Sequence, residues 1–405
     1  MLSISKICCE IETEGDVIRY GQKIGAIGDD VRQYNLTDIP KKASERRPVV
    51  VWNVTRSCNL SCIHCYSNSE NKIYQGELTT NESKSLIDDL SSFKIPALLL
   101  SGGEPLLRKD IFELIDYAKR IGLRITLSTN GTLITEAIAQ QIKSASVDYV
   151  GISLDGIGEV NDRFRGIAGA FKRAISGFRN CISVGQKVGL RMTLTCHNYK
   201  DLHSIFDLIE RENINRACFY HLVYAGRGSQ IIKDDITHQE KRQALDIIIE
   251  RTIDFHKRGL KKDILTVDNP VDGVYLYLKL RESNLKKAEY AFNLLEWNGG
   301  GLNGSGVGIG CVDAVGDVHP DQFWTHYKFG NIRQRRFSEI WMDISDPLMA
   351  GLKNRRKMIK GRCAECKWFS LCGGGLRVRA DVLYGDLWAP DPACYLTDKE
   401  IGGFI

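Results

Sequence analysis

Cys58-Asn59-Leu60-Ser61-Cys62-Ile63-His64-Cys65-Tyr66 spaces three thiols as C-x3-C-x2-C within one short loop. Thiolates are the usual ligands of iron–sulfur cubes, and a loop this short folds Cys58, Cys62 and Cys65 round one centre, so they can hold three corners of a 4Fe-4S cluster. The fourth iron is then left without a protein ligand, open to a small molecule. The competing reading is a structural zinc knuckle, which wants four ligands and would recruit His64 as the last. Just upstream, the apolar run Val49-Val50-Val51-Trp52-Asn53-Val54 reads as a buried strand leading into the loop.

The bulk composition is that of an ordinary globular chain. At 405 residues, 43% hydrophobic and 26% charged, it can accommodate a barrel of about 250 residues plus a second module. No run of about 18 apolar residues and no charged-then-apolar leader is present, so neither a membrane span nor a signal peptide is expected, and a cytoplasmic location is. In that compartment the 13 cysteines point to metal or redox work rather than disulfides. The net charge of +5 comes without a block of like charge or a basic-aromatic face, so no nucleic acid is expected as a partner.

Residues 1–48 carry no strong period, and the vicinal pair Cys8-Cys9 has no ligand partner nearby. From Val49 onward apolar strands alternate with amphipathic helices, the pattern of a parallel sheet built from repeated strand–helix units. Strands are predicted near 49–54, 97–100, 124–128, 149–153, 189–194 and 217–222, and helices near 80–93, 110–121, 135–144, 168–184, 202–211 and 238–258. Thr79-x-x-Glu82 and Thr237-x-x-Glu240 offer capping boxes for two of the helices. Six such units predict an α/β fold, a partial (β/α)6 barrel whose site lies at the C-terminal strand ends. The expected division is an N-terminal extension at 1–48, the barrel at 49–260, a linker and helical connection at 261–304, and a cysteine-bearing module at 305–405.

Polar words fall at those strand ends. They are Ser101-Gly102-Gly103-Glu104-Pro105, Ser128-Thr129-Asn130-Gly131, Ser153-Leu154-Asp155-Gly156 and Phe164-Arg165-Gly166. Taken singly, each reads as a tight turn. In their order after the thiol loop they resemble the radical SAM superfamily. That resemblance implies a 4Fe-4S cluster on Cys58, Cys62 and Cys65 that cleaves S-adenosylmethionine, SAM, to methionine and a 5'-deoxyadenosyl radical. It also implies that Gly102, Gly103 and Glu104 grip the methionine amino group. Ser128, Asn130, Ser153 and Asp155 then serve the ribose and the charged methionine end, while Arg165 pairs with the carboxylate, which a guanidinium fork matches in two places. The stretch Tyr220–Gly228 lies where the adenine would be covered, with strand-end packing as the equal alternative for Tyr220 and His221.

Near the C-terminus, Cys363-x2-Cys366-x5-Cys372 and Cys394 supply four thiols, enough to close a second 4Fe-4S cluster or to hold zinc. The spacing is similar to the SPASM/twitch-like modules of radical SAM enzymes. It departs from the full two-cluster form: Asp321 stands where a cysteine is expected, Leu376 where another is, and none lies shortly before Val307. That leaves one auxiliary cluster, with Cys311 spare, either facing substrate or simply buried.

Further words, among them Gly306–Asp313, His319–Trp324, Phe329–Arg333 and Asp391–Asp398, resemble the radical SAM enzymes that trim tetrapyrrole side chains in haem biosynthesis. One branch removes acetate arms from 12,18-didecarboxysiroheme to give Fe-coproporphyrin III. Others act on the same acetates toward d1-type haem or decarboxylate Fe-coproporphyrin III to haem. Ile4-Ser5-Lys6 and Arg19-Tyr20-Gly21 are most similar to the first. An iron tetrapyrrole substrate and an electron donor such as ferredoxin or flavodoxin are the implied partners. Arg377, Arg379 and the region His319–His326 are candidates for gripping the substrate carboxylates, with His319 or His326 as a candidate ligand to its iron. A peptide-modifying radical SAM enzyme and a non-enzymatic Fe-S carrier are the other readings.

Overall fold

Short, largely apolar strands flanked by turn residues build one eleven-stranded sheet, described here from a computed structural model over residues 1–12 and 47–402. Its parallel heart runs β2 (Val49–Asn53), β3 (Leu98–Ser101), β4 (Ile125–Thr129), β5 (Tyr149–Ser153), β6 (Val188–Leu194), β7 (Arg216–His221) and β8 (Asp263–Val267), each beside the next. Helices α2 (Thr80–Ser92), α3 (Ile111–Arg120), α4 (Glu136–Ser144), α6 (Ala170–Ser183), α7 (Leu202–Arg211) and α8 (His238–Lys257) return the chain between strands, and the short α5 (Glu159–Arg165) follows β5. Both expected capping boxes form, with Thr79 and Glu82 closing α2 and Thr237 and Glu240 closing α8. Helix α3 buries Ile111, Leu114, Ile115 and Ala118, the 3.6-residue stripe of a helix packed on a sheet.

Two features depart from the sequence expectation. Asp263–Val267, assigned above to the linker, is a seventh parallel strand, paired with β7 from Arg216↔Asp263 to Tyr220↔Val267. Five residues between two loops show too little period to stand out, but with every residue of β8 buried the strand is part of the core. The second feature lies at the sheet's other edge. There β9 (Ile309–Val312) pairs parallel with β2, and β10 (Asp317–His319) and β11 (Gly330–Asn331) continue antiparallel. The cysteine-bearing region therefore grows out of the barrel sheet.

The N-terminal end is tied down as well. β1 (Leu2–Ser3) pairs with β8, and α1 (Ile4–Cys9) is wholly buried, with Ser5 Oγ donating to the Lys262 carbonyl at 2.7 Å. Cys8 and Cys9 are core residues whose thiols burial pushes up to about 12 and about 11. Arg19-Tyr20-Gly21 lies outside the described residues. Among the described residues no helix is long and apolar enough to cross a membrane.

Candidate active site

Because all seven strands run parallel, their following loops gather at one end, and the predicted words meet there. They wall a cavity that opens to solvent. Cys58, Cys62 and Cys65 line it beside Gly102, Gly103, Ser128, Asn130, Ser153, Asp155 and Arg165.

The cysteine loop is strapped from three sides. Ser61 and Ile63 donate their amides to the carbonyls of Arg165 and Phe164, and Arg227 donates from Nε to the Cys62 carbonyl at 2.7 Å and from its own amide to that of Cys65. Gly103 presses its backbone so close that a Cβ there would stand 2.2 Å from the Ser57 carbonyl oxygen. The glycine pair is thus needed for packing against the loop as much as for approach to a ligand. Asn130 Nδ2 donates to Asn59 Oδ1 at 2.9 Å and lies 3.9 Å from Cys58 Sγ.

Glu104 differs from its expected presentation. Its carboxylate is completely buried and accepts from Thr129 Oγ1, the Asn130 amide and the Leu106 amide. It braces the ends of β3 and β4 from behind, leaving the main chain of Gly102 and Gly103 at the cavity wall.

Asp155 and Arg165 form an ion pair through Oδ2 and Nη2, and His64 Nε2 approaches the same oxygen at 3.2 Å. Burial pushes the Asp155 carboxyl up, but the Arg165 guanidinium and His64 outweigh it and hold it at about 2. Arg165 Nη1 reaches Cys62 Sγ at 3.7 Å, while its Nε and His64 Nδ1 are buried without a hydrogen-bond partner among the described residues. Burial pushes the Cys58 thiol up to about 12 and raises Cys62 as well, against the pull of Arg165. Iron binding there must displace protons.

The donor set fits an iron–sulfur cube better than one zinc ion. Zinc holds each thiolate at about 2.3 Å, which packs the sulfurs tightly together. Among the described residues the only group of three or more ligand atoms all within 4.8 Å is Cys196, His197 and Asp234 at the surface. Neither thiol set is that compact, as befits ligands that each meet a different iron. At the second set, burial raises Cys372 well above its usual value, and Cys394, Cys363 and Cys366 are near enough to add to it.

The structure corrects the residues assigned to substrate carboxylates. Arg377 and Arg379 are 0% exposed. Arg377 donates to the carbonyls of Gly374, Leu387 and Ala389, and Arg379 forms a two-bond pair with Asp391. His319 is buried, with Nδ1 at 2.7 Å from the Tyr327 carbonyl, and His326 is paired with Asp381 at 2.7 Å; neither lines the cavity. From that region Gln322 and Phe323 do reach the wall. Asp321 caps their turn, accepting from the amides of Phe323 and Trp324. Cys311 is buried in β9, receiving Asn53 Nδ2 at 3.7 Å. His221 lines the cavity, with Nε2 at 3.0 Å from Asp272.

Sequence reasoning missed Arg191 and read Arg227 only as part of the stretch Tyr220–Gly228 over the adenine. Arg227 carried a signal in its place between Gly226 and Gly228 but no indication that it clamps the cysteine loop. Arg191 is a charge in an otherwise apolar strand, an anomaly for a buried parallel sheet.

Comparison with known proteins agrees with this geometry. The Radical SAM superfamily matches residues 52–209. The Fe-coproporphyrin III synthase of Methanosarcina barkeri is 52% identical over 405 residues, 99% of each chain. The pre-heme d1 synthase of Dinoroseobacter shibae is 44% identical over 88% of each. In fold, the Streptococcus suis protein SuiB, crystallised with its precursor peptide SuiA, superposes with a TM-score of 0.68 at 18% identity, covering 87% of this chain and 76% of its own. With thiol loop, strand-end words and full-length likeness in agreement, the chain belongs to the radical SAM superfamily.

Proposed function

We propose that this chain removes acetate side chains from 12,18-didecarboxysiroheme to give Fe-coproporphyrin III. The observation that carries the reading is the 52% identity, end to end, with a protein named for that product. The pre-heme d1 synthase likeness keeps d1-type side-chain removal as the second reading, since it too covers most of both chains. A peptide-modifying role has in its favour a fold likeness to SuiB at 18% identity, which speaks for the fold alone.

In this reading Cys58, Cys62 and Cys65 hold the first 4Fe-4S cluster, and Cys363, Cys366, Cys372 and Cys394 hold a second that passes electrons from a ferredoxin- or flavodoxin-type donor. When bound, the first cluster and SAM supply one-electron cleavage and a hydrogen-abstracting radical; the protein supplies orientation and exclusion of water. Arg165, with its unpartnered Nε, takes the SAM carboxylate. The main chain of Gly102 and Gly103, positioned by Glu104, receives the amino group. Ser128, Asn130, Ser153 and Asp155 serve the ribose and the methionine end. Leu222, Val223 and Phe323 close the wall with apolar surface.

The test is an anaerobic assay of reconstituted protein with SAM, dithionite and 12,18-didecarboxysiroheme, with products read by mass spectrometry beside a Cys62→Ala control. Loss of both acetate arms, absent in the control, is expected. Formation of 5'-deoxyadenosine with the tetrapyrrole untouched would overturn the substrate assignment while leaving the radical chemistry in place.

A further inference from the structure

Arg165 and Arg191 line the cavity, Arg216 opens β7 outside it, and the partners of the three differ. Arg165 is paired with Asp155, and Arg216 with Asp263 at 2.7 Å. Arg191, on β6, has no carboxylate within 4.0 Å of its nitrogens among the described residues. Its partners are neutral hydroxyls: Nε donates to Tyr220 Oη at 2.9 Å and Nη1 to Ser128 Oγ, with its guanidinium 5.0 Å from the Tyr220 ring centre. Two bonds occupy two of a guanidinium's five donors. A charge enclosed by protein costs free energy until an opposite charge meets it; hydroxyls do not supply one, and Asp268 on the same cavity wall feels Arg191 only from beyond contact distance.

The surrounding sequence reserves room for this side chain. A Cβ at Gly151, on the strand between those of Ser128 and Arg191, would stand 2.6 Å from Arg191 Cδ. Glycine there lets the guanidinium cross β5 to reach Ser128. Both Arg191 and its two partners line the cavity.

We propose that Arg191 is a carboxylate-binding residue of this cavity, taking a side-chain carboxylate of the tetrapyrrole substrate. Two carboxylates could serve, that of the substrate and that of SAM's methionine. Position favours the substrate. Arg165 stands 3.7 Å from Cys62 Sγ, at the thiol loop where SAM must meet the cluster, and so answers the methionine carboxylate, whereas Arg191 bonds no residue of that loop and touches the SAM side only through Ser128. The substrate half of the inference rests on the tetrapyrrole reading above; the guanidinium's lack of a carboxylate in contact does not.

The test uses the full chain with its clusters reconstituted anaerobically, as wild type, Arg191→Gln and Arg191→Lys. Ferric coproporphyrin III is titrated by its absorbance and SAM by calorimetry. Arg191→Gln is expected to weaken the porphyrin by about 10- to 100-fold, the range for one charge-assisted bond, and to leave SAM within about threefold. Arg191→Lys, which keeps the charge but not the fork, falls between; it also decides the matter if the glutamine variant fails to hold its clusters. The reverse pattern, SAM weakened and porphyrin unchanged, keeps Arg191 as a carboxylate receptor but overturns the substrate assignment. Unchanged affinity for both ligands overturns the proposal. A wild-type protein that does not take up the porphyrin at all refutes the tetrapyrrole reading instead, and the SAM titration alone then judges Arg191.

Discussion

Replacing Asp391 by asparagine tests how the two halves of the site are joined. Asp391 lies three residues before Cys394 and is 1% exposed, and its partner Arg379 is 0% exposed. Two bonds join them, Nε to Oδ1 at 2.9 Å and Nη2 to Oδ2 at 2.8 Å. The same carboxylate accepts the amides of Leu376 and Ala393, while Arg379 also donates to the carbonyls of Leu222 and Asp268 on the barrel side. Removing one charge strands the other, a cost of about 3–5 kcal/mol for a buried pair, against a total stability of about 5–15 kcal/mol. That is roughly a hundred- to several-thousand-fold in the folding equilibrium of the region. Asp391→Asn should therefore lower the urea midpoint and reduce reconstituted iron from about eight to about four per chain, the loss of one cube. Arg379→Met with Asp391→Asn removes both charges, keeps an acceptor for the amides, and should be milder than the single change. Burial raises the Asp391 carboxyl, but Arg379 prevails and holds it below its ordinary value. Its stabilisation is accordingly present above the usual carboxylate range and lost as pH falls through the lowered value. Full iron content with an unmoved midpoint in Asp391→Asn would refute the reasoning.

Two further outcomes follow from other contacts. Gly226 sits at φ +53°, and a Cβ there would stand 2.5 Å from the carbonyl oxygens of Cys65 and Tyr66. Gly226→Ala should cost about 1–3 kcal/mol of overpacking and shift the thiol loop, so that iron on the first set falls and SAM cleavage with it; full occupancy of both sets would count against a clamped loop. Lys353 donates to the Trp341 carbonyl, and burial pushes it down to about 8. Between there and the unfolded value near ~10.4 the unfolded chain binds more protons, so stability rises with pH across that window. Lys353→Met removes this dependence, and its stability advantage at neutral pH should shrink toward about pH 10. Parallel profiles in denaturant titrations would show that the lysine is not desolvated.

What was legible in the sequence was local. Strand and helix periods repeat within one element, and the cysteine spacing and the words at strand ends can be read without knowing what lies across the barrel. β8 escaped because Asp263–Val267 is short and its evidence is the neighbour it pairs with, Arg216–Tyr220. The glycines at 102 and 103 were seen, but the atoms that require them belong to Asn53–Ser57, the lead into the cysteine loop some 45 positions earlier.

The arginines show why the rest could not be read this way. Arg377, Arg379 and Arg191 are the same side chain, and by composition the first two, beside the second cysteine set, looked better placed to hold an acidic substrate. Their difference lies in partners: carbonyl oxygens for Arg377, Asp391 for Arg379, and two hydroxyls for Arg191. Arg377 and Arg379 stand away from the cavity wall, and a guanidinium answered there by main-chain oxygens or an internal carboxylate is spent on the fold, because drawing it toward a ligand would leave those acceptors unpaired. One that meets only hydroxyls at a cavity wall keeps its charge available. Arg191 is therefore identified by the contacts it lacks, and these depend on the register of β4, β5 and β6, which sets Gly151 opposite Ser128 and Arg191 opposite Ser153, so that the arginine reaches diagonally past the glycine to a hydroxyl far away in the chain.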